Sequence, residues 1–190
     1  MRTWLLTNTT YGSWLPGDAR GSIASVRDLR IDDPRTLVRI EHDIPGEPYE
    51  EAIPGLEEAS RELLKGPPIF LTREHAEILA EQFRETATYR GWVLRAVAIM
   101  FNHYHLVVQV TGDPEPSKIL NDFKAYASRS LNRHFGKPVA RWWTSGGSKR
   151  KLKDDDAVAA GIHYVLKKQT NPLVLWSPDI GEPDIGEPGA

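Results

Sequence analysis

Two histidines, His103 and His105, stand two residues apart in a stretch with the composition of a β-strand. The residues that follow include Val107, Val108 and Val110, whose β-branched side chains favour extended backbone. Because side chains alternate faces along a strand, the two imidazoles point the same way. Such a pair can hold one metal ion, or it can be an ordinary surface or packed pair. The apolar strand residues around it favour a place within a sheet.

A tyrosine about 60 residues later stands on the last predicted helix, which begins at Asp154 to Asp156 and runs to about Lys168. At about 100° per residue, Tyr164 falls on the side opposite the apolar residues and among small ones. The apolar side holds Val158, Ile162, Val165 and Leu166. A core tyrosine belongs within the apolar stripe, so this hydroxyl is open to the approach of something large.

The composition excludes several classes of protein. The 190 residues are 40% hydrophobic and 26% charged, which is ordinary for a soluble globular protein and enough for one domain with a long insertion or tail. There is no cysteine, hence no disulfide framework, thiolate metal site or cysteine nucleophile. No apolar run approaches a membrane span, and the N-terminus is too quickly polar for a signal peptide. We therefore expect a cytoplasmic protein with no membrane partner.

The formal net charge of −2 conceals an asymmetry. Residues 117–170 hold twelve Lys or Arg against four Asp, a surplus of eight positive charges, so the rest of the chain carries −10. This asymmetry points to a polyanionic partner for the basic part, although a solvated basic face is an equally weighted alternative.

The stretch 141–151 mixes tryptophans, glycines and a cationic cluster. Aromatic faces that stack on bases, beside cations that meet phosphates, suit single-stranded nucleic acid. For the two tryptophans the alternative is a buried pair beside a basic loop. The residues predicted to contact nucleic acid are Arg129, Arg133, Arg141, Trp142, Trp143, Lys149, Arg150, Lys151 and Lys168.

The order of elements predicts the fold class. A strand over 2–10 precedes a helix that Thr72 caps and Gly91 ends, and a strand over 92–100 forms a hairpin with the histidine strand. A helix follows over Pro116–Phe135, with the last helix after the basic stretch. We predict an α+β fold of the ferredoxin-like kind, an antiparallel sheet with helices packed on it and His-x-His on a central strand.

Residues 1–176 are predicted to form a single domain with an acidic insertion at about 19–68. Prolines interrupt the insertion, in which a short helix is predicted around Leu56 to Leu64. The insertion is either largely unstructured or a lid. The tail, 177–190, repeats Asp-Ile-Gly-Glu-Pro and is predicted to be disordered.

The sequence Phe-Asn-His-Tyr-His-Leu-Val-Val at 101–108 resembles the His-hydrophobe-His strand of the HUH single-tyrosine transposases. It is also similar to that strand in their REP-associated relatives, which process single-stranded DNA at palindromic repeats. Gly161–Leu166 resembles the late helix on which the family keeps its nucleophilic tyrosine, and Trp142–Leu152 resembles the stretch between the two motifs. The resemblance covers about 70–176 and the first strand.

The resemblance implies a function, a transposase-like catalytic domain that cleaves single-stranded DNA and transfers the strand. A divalent metal, Mg or Mn, held by His103 and His105 would polarise the scissile phosphate, although imidazoles alone would also suit Zn or Ni. Tyr164 would attack it, leaving a 5′-phosphotyrosine and a free 3′-hydroxyl. The implied partner is single-stranded or hairpin DNA, and a homodimer is left open beside a monomer.

The family usually supplies a third ligand, Gln, Asn or Glu, about one turn after the tyrosine. Lys168 stands at that place and cannot ligate while it is charged. Gln169 comes next, but on an ideal helix it points towards the apolar side. Either the helix ends or distorts by Lys168, so that Gln169 becomes the third ligand, or water fills the third position.

Two other functions stay open. A non-catalytic single-strand-binding module of the same fold would keep the basic surface while the histidines pack or idle. A metal-dependent hydrolase that activates water would need the histidines but not Tyr164.

Overall fold

The computed structural model describes residues 1–19, 27–28, 38–39 and 53–179. The chain divides into two compact units. One consists of Met1–Ser13 and Gly66–Ala190, and the other of Trp14–Lys65.

The second unit contains the part of the predicted acidic insertion that can be described. A two-stranded antiparallel ladder joins β2, Arg27–Asp28, to β3, Val38–Arg39. Helix α1, Pro54–Glu62, begins two residues before the predicted short helix. The choice between a lid and an unstructured insertion depends on residues outside the described ones.

The first unit is built on a five-stranded antiparallel sheet. Its strands are β1 Arg2–Thr9, β4 Val93–Ile99, β5 His103–Val110, β6 Ser148–Leu152 and β7 Val174–Trp176, and its helices are α2 Arg73–Arg90, α3 Pro116–Phe135 and α4 Asp155–Lys167. The strands lie in the order β6-β1-β5-β4-β7. The sequence β1-α2-β4-β5-α3-β6 with the spatial order β6-β1-β5-β4 is the ferredoxin-like arrangement, and β7 adds an edge strand. The predicted fold class, with the histidine strand in the centre, is confirmed.

The helix boundaries follow from local chemistry. Thr72 accepts a hydrogen bond from the His75 backbone and caps α2, and Gly91 ends that helix in the left-handed conformation with φ of +66°. Asp154 caps α4, because its Oδ1 accepts from the Ala157 N–H at 2.8 Å.

The alternation of side chains on β5 separates two apolar layers. Tyr104, Leu106 and Val108 are fully buried in the larger layer, beneath α2 and α3. On the opposite face, Val107 belongs to a smaller layer that α4 covers with Val165. His103 and His105 therefore lie on the α4 side of the sheet.

Among the described residues, no helix combines the length and the apolar composition that crossing a membrane requires. Of the tail predicted to be disordered, only residues 177–179 are described.

Strand β6 was not predicted, since Lys149, Arg150 and Lys151 have low strand propensity. It forms an edge strand, where charged side chains are common because they discourage pairing with other chains. A glycine pair leads into this strand. Gly147 has φ of +132°, and a Cβ there would come within 2.7 Å of the Thr7 carbonyl oxygen and 2.8 Å of Asn8 Nδ2.

We expect Gly147→Ala to destabilise the fold by about 2 to 4 kcal/mol, because the added methyl group meets β1 backbone and cannot be relieved by a side-chain rotation. Gly146→Ala is the matched control, since Gly146 also has a positive φ, +78°, but nothing lies within 4 Å of its added Cβ. It should lose only about 1 kcal/mol. Urea unfolding of the two variants measures the difference, and equal losses would show that contact with β1 does not matter.

Candidate active site and basic surface

The two histidines lie in the middle of the sheet. Across β1, His105 stands opposite Thr7 and His103 opposite Thr9; across β4, His105 stands opposite Ala98. The two imidazole centroids are 5.0 Å apart and nearly perpendicular, at 83°. His105 is buried and His103 is half-buried. The small side chain of Ala98 leaves room beside the ring of His105.

The turn before β5 is anchored to the end of β1. The Asn102 carbonyl oxygen accepts hydrogen bonds from Thr10 N at 2.8 Å, Thr10 Oγ1 at 3.1 Å and Ser13 Oγ at 3.2 Å. The side chain of the same residue orients the first histidine, because Asn102 Oδ1 lies 2.6 Å from His103 Nδ1.

His105 is held in the neutral form. Burial, and after it the positive charge that His103 can carry, lowers the pKa of His105 to about 3, although a hydrogen bond with Gln169 acts in the opposite direction. Its Nδ1 lies 2.6 Å from Thr7 Oγ1. When that nitrogen donates to Thr7, Nε2 presents a lone pair, which is the state in which histidine binds metals.

Tyr164 reaches this pair from α4. Its ring centroid lies 5.3 Å from that of His105, at an angle of 71°, and 42% of the residue is exposed. The helix is seated by Val165, which is fully buried, and by Gly161, where an added Cβ would lie 2.9 Å from Leu152 Cδ1. Tyr164 is therefore both accessible and close to the buried histidine.

Gln169 lies beyond the end of this helix. Helix α4 ends at Lys167, and Lys168 leaves the helical conformation with φ of −111°. The Gln169 Nε2 group donates to the Tyr164 carbonyl oxygen at 3.0 Å, and the same side chain forms a hydrogen bond with His105. The helix thus ends before Lys168, which is the condition for Gln169 to become the third ligand.

These residues offer two imidazole nitrogens and one amide oxygen. Within the described parts of the chain, no group of three His, Cys, Asp or Glu side chains is arranged to hold a metal ion. A mixed nitrogen and oxygen set of neutral ligands still suits a divalent cation of the Mg, Mn or Zn kind. His103, His105 and Gln169 are therefore the candidate metal ligands.

The two tryptophans predicted to contact nucleic acid are buried, as in the alternative considered for them. Trp142 and Trp143 are 7% and 4% exposed and belong to the larger apolar layer. Their indole N–H groups donate to Asn132 Oδ1 at 2.8 Å and Ser128 Oγ at 3.0 Å. Their rings therefore pack mainly in the core, and both residues also line a groove along α3.

A basic groove runs along α3 beside the segment 141–145. It has a volume of about 340 Å³, and its cations are Lys124 and Arg141. Lys124 Nζ donates to the carbonyl oxygens of Thr144 at 2.6 Å and Gly146 at 3.0 Å. Burial, followed by the charges of Arg141 and Lys149, lowers the pKa of Lys124 to about 8. The sequence does not single out Lys124, since its place in the basic segment 117–170 is the only signal for it.

The remaining predicted nucleic-acid contacts do not share one surface. Because β6 pairs with β1, Lys149 and Lys151 lie opposite Leu6 and Trp4 on the α3 side, whereas Arg150 lies opposite Leu5 on the α4 side. The basic cluster is therefore divided between the two faces of an edge strand.

Three further cations lie elsewhere. Arg129 covers the ring of Tyr126 at 4.4 Å, and Arg133 lines a small polar hollow with Glu81 and Glu85. Lys168 is exposed and lies next to Gln169, at the end of α4. Arg133 faces carboxylates and is the weakest of the predicted contacts.

The chain is similar to known proteins in both sequence and structure. Residues 68–147 match the sequence model of the family described as "Transposase IS200 like". No curated protein matches the sequence. Among solved structures, the chain is similar to a REP-associated tyrosine transposase bound to a REP hairpin, with 10% identity and a TM-score of 0.45, over 86% of this chain and 64% of that one. The chain thus spans less than two thirds of the length of that protein.

The lowered pKa of His105 predicts how the stability of the metal-free protein depends on pH. Between pH 6.5 and about pH 3, the unfolded chain binds a proton at this residue and the folded chain does not, so stability decreases as the pH falls through this window. His105→Gln should remove up to about 1.4 kcal/mol per pH unit from that slope. His163→Gln, at an exposed position of α4, is the control. Thermal unfolding in EDTA between pH 4 and 7 is the measurement, and identical slopes would contradict the expectation.

Proposed function

Because residues 68–147 match the model of the IS200-like transposases, we propose that the chain cleaves single-stranded DNA and rejoins it through a 5′-phosphotyrosine. The substrate that we propose is DNA with a hairpin beside the cleavage site, as implied by the resemblance of the histidine and tyrosine motifs. The expected cytoplasmic location suits such a substrate, and the choice between monomer and homodimer stays open.

One observation carries this proposal, the distance of 5.3 Å between the ring centroids of Tyr164 and His105. These residues are 59 positions apart in the chain and come from a helix and a central strand. Phosphoryl transfer to a tyrosine needs the nucleophile close to the group that holds the attacked phosphate. The neutral imidazole of His105, as a metal ligand, would be part of that group.

The chain's own residues would act as follows. The Tyr164 oxygen forms a bond to the phosphorus atom while the bond to the 3′-oxygen breaks; the phenol proton is released and the 3′-oxygen becomes a hydroxyl. Since a phenol has a pKa near ~10, it is a weak nucleophile unless its target is polarised. Rejoining reverses the exchange, so no nucleotide cofactor is needed.

His103, His105 and Gln169 would hold a divalent cation, Mg or Mn, and such a cation would polarise the phosphate as a Lewis acid. Thr7 would orient His105 through Nδ1, and Asn102 would orient His103. The hydrogen bond from Gln169 to the Tyr164 carbonyl oxygen would fix the position of the third ligand relative to the tyrosine.

The DNA backbone would be bound by cations on the two faces of the sheet. On the α4 side, Arg150 and Lys168 are available to the strand that enters the site. On the other side, Lys124 and Arg141 in the basic groove, with Lys149 close by, would bind a second segment of the same DNA. Lysine and arginine contacts of this kind position the backbone without reading sequence.

Tyr164→Phe should abolish both cleavage and the covalent adduct, because it removes the attacking oxygen. Stability should change by less than about 0.5 kcal/mol, since the residue is partly exposed. The assay incubates the protein with a single-stranded hairpin oligonucleotide and Mn²⁺ and detects the adduct by denaturing electrophoresis and mass spectrometry. Tyr126→Phe is the matched control, because Tyr126 lies on α3 against Tyr89 and Arg129.

The result separates the three functions considered. Continued cutting without an adduct in Tyr164→Phe would indicate a hydrolase, and no cutting by either protein would indicate a binding module. Loss of the adduct in Tyr126→Phe alone would mean that the nucleophile has been misassigned.

Replacement of the proposed metal ligands should remove Mn²⁺ binding and cleavage together. We expect His103→Asn with His105→Gln to abolish both, and Gln169→Ala to weaken Mn²⁺ binding about 10- to 100-fold. These replacements suit the buried position of His105 better than alanine, which would leave a cavity. Isothermal titration with Mn²⁺ and the cleavage assay are run on the same samples. Retention of Mn²⁺-dependent cleavage in the double variant would refute the ligand assignment.

A further inference from the structure

Two phenylalanines are exposed next to the candidate site. Phe70 and Phe101 are 54% and 50% exposed, and they stack with ring centroids 5.7 Å apart and an interplanar angle of 20°. The other three phenylalanines, Phe83, Phe123 and Phe135, all pack in the larger apolar layer. Phe70 and Phe101 therefore differ from the other phenylalanines, which all contribute to the core.

The backbone beneath the pair is fixed. The Leu71 N–H donates to the Phe101 carbonyl oxygen at 2.6 Å, and the Ile69 N–H donates to that of Tyr11 at 2.9 Å. Thr10 Oγ1 donates to the Ile69 carbonyl oxygen at 2.6 Å. Both rings are thus presented on anchored main chain, so their exposure does not result from fraying of a chain end.

The pair lies at the entrance of the histidine strand. Phe101 is two residues before His103, and the residue between them, Asn102, is buried and bonded to the His103 ring. A strand of DNA with a phosphate at the histidines would have its neighbouring nucleotide close to this turn, because one nucleotide and two to three residues of extended chain are similar in length.

We propose that Phe70 and Phe101 form a platform on which an unpaired nucleobase stacks, next to the phosphate that is cleaved. This inference rests on the proposed function and deepens it by assigning a subsite for one base. Each phenylalanine uses one ring face on its neighbour, so a base on an outer face would extend an existing stack. Because every base has a π face, the subsite favours unpaired over paired DNA with little preference for sequence.

A second copy of the chain is a weaker candidate for covering these rings. Two phenylalanines bury at most about 500 Å² together, well below the roughly 1,200 Å² of a stable protein interface. Their connection to His103 through Asn102 favours a ligand that also reaches the histidines.

The test measures binding of a fluorescein-labelled hairpin oligonucleotide with a single-stranded flank by fluorescence anisotropy. The protein carries Tyr164→Phe, so that nothing is cleaved. Adding Phe70→Leu and Phe101→Leu should weaken binding about 5- to 100-fold, and should leave the slope of log affinity against log salt unchanged, since stacking releases no counterions. Tyr89→Leu is the matched control, because Tyr89 is 73% exposed and lies on α2.

An abasic substitution scan locates the base. With the native platform, replacing one particular flank nucleotide by an abasic site should cost as much affinity as the double substitution, and the two changes together should cost no more than either. Equal affinities of the platform variant and its parent would overturn the proposal, as would a changed salt slope.

Two further outcomes identify other occupants of the surface. A melting temperature that falls further in the DNA-free platform variant than in Tyr89→Leu, whose ring also packs on a neighbouring ring, would show that the rings pack against the rest of the chain. Loss of a dimer in sedimentation would show that a second copy covers them. Each outcome would overturn the proposal. Failure of the proposed function gives a different result. If the wild-type chain cuts no DNA, the proposed transposase activity is wrong. If the phenylalanine substitutions still weaken DNA binding, the platform proposal stands.

Discussion

The alternation of side chains along β5 is the constraint on which the rest of the molecule depends. This strand lies between β1 and β4, and Tyr104, Leu106 and Val108 fill the larger apolar layer. A slip of one residue would exchange its two faces and place imidazoles in that layer. The packing that secures the register of the strand therefore also directs His103 and His105 towards α4.

The α4 side of the sheet is suited to a polar site because its apolar layer is thin. Ala96 and Ala98 are fully buried there, where the other side has Phe83 and Phe123. Small side chains leave space beside His105, and Thr7 satisfies one of its ring nitrogens. A buried imidazole without such a partner would be costly, so Thr7 is as much a part of the site as the histidine.

Much of this arrangement was predictable from periodicity. The helix over Pro116–Phe135 has the predicted boundaries, and the shared face of the two histidines follows from the period of a strand. The exposure of Tyr164 followed from its angle on α4.

Other features depend on tertiary context and could not be predicted. The sequence around Trp142 and Trp143 does not distinguish buried from exposed rings, because polar and basic residues follow the tryptophans in either case. Strand β6 contradicts the propensity of its own residues and forms only because β1 has a free edge. The end of α4 was predicted to within one residue, but the position of the Gln169 side chain depends on the backbone conformation of Lys168, which the sequence does not indicate.

The parts of the candidate site leave the ribosome in a fixed order. Synthesis proceeds from the N-terminus, so β1, β4, β5 and β6 emerge before α4 brings Tyr164. A growing chain can acquire the strand that carries its histidines, and its basic groove, while it still lacks Tyr164. The candidate site is therefore completed only when α4 packs on a sheet whose strands β1, β4, β5 and β6 have already been made.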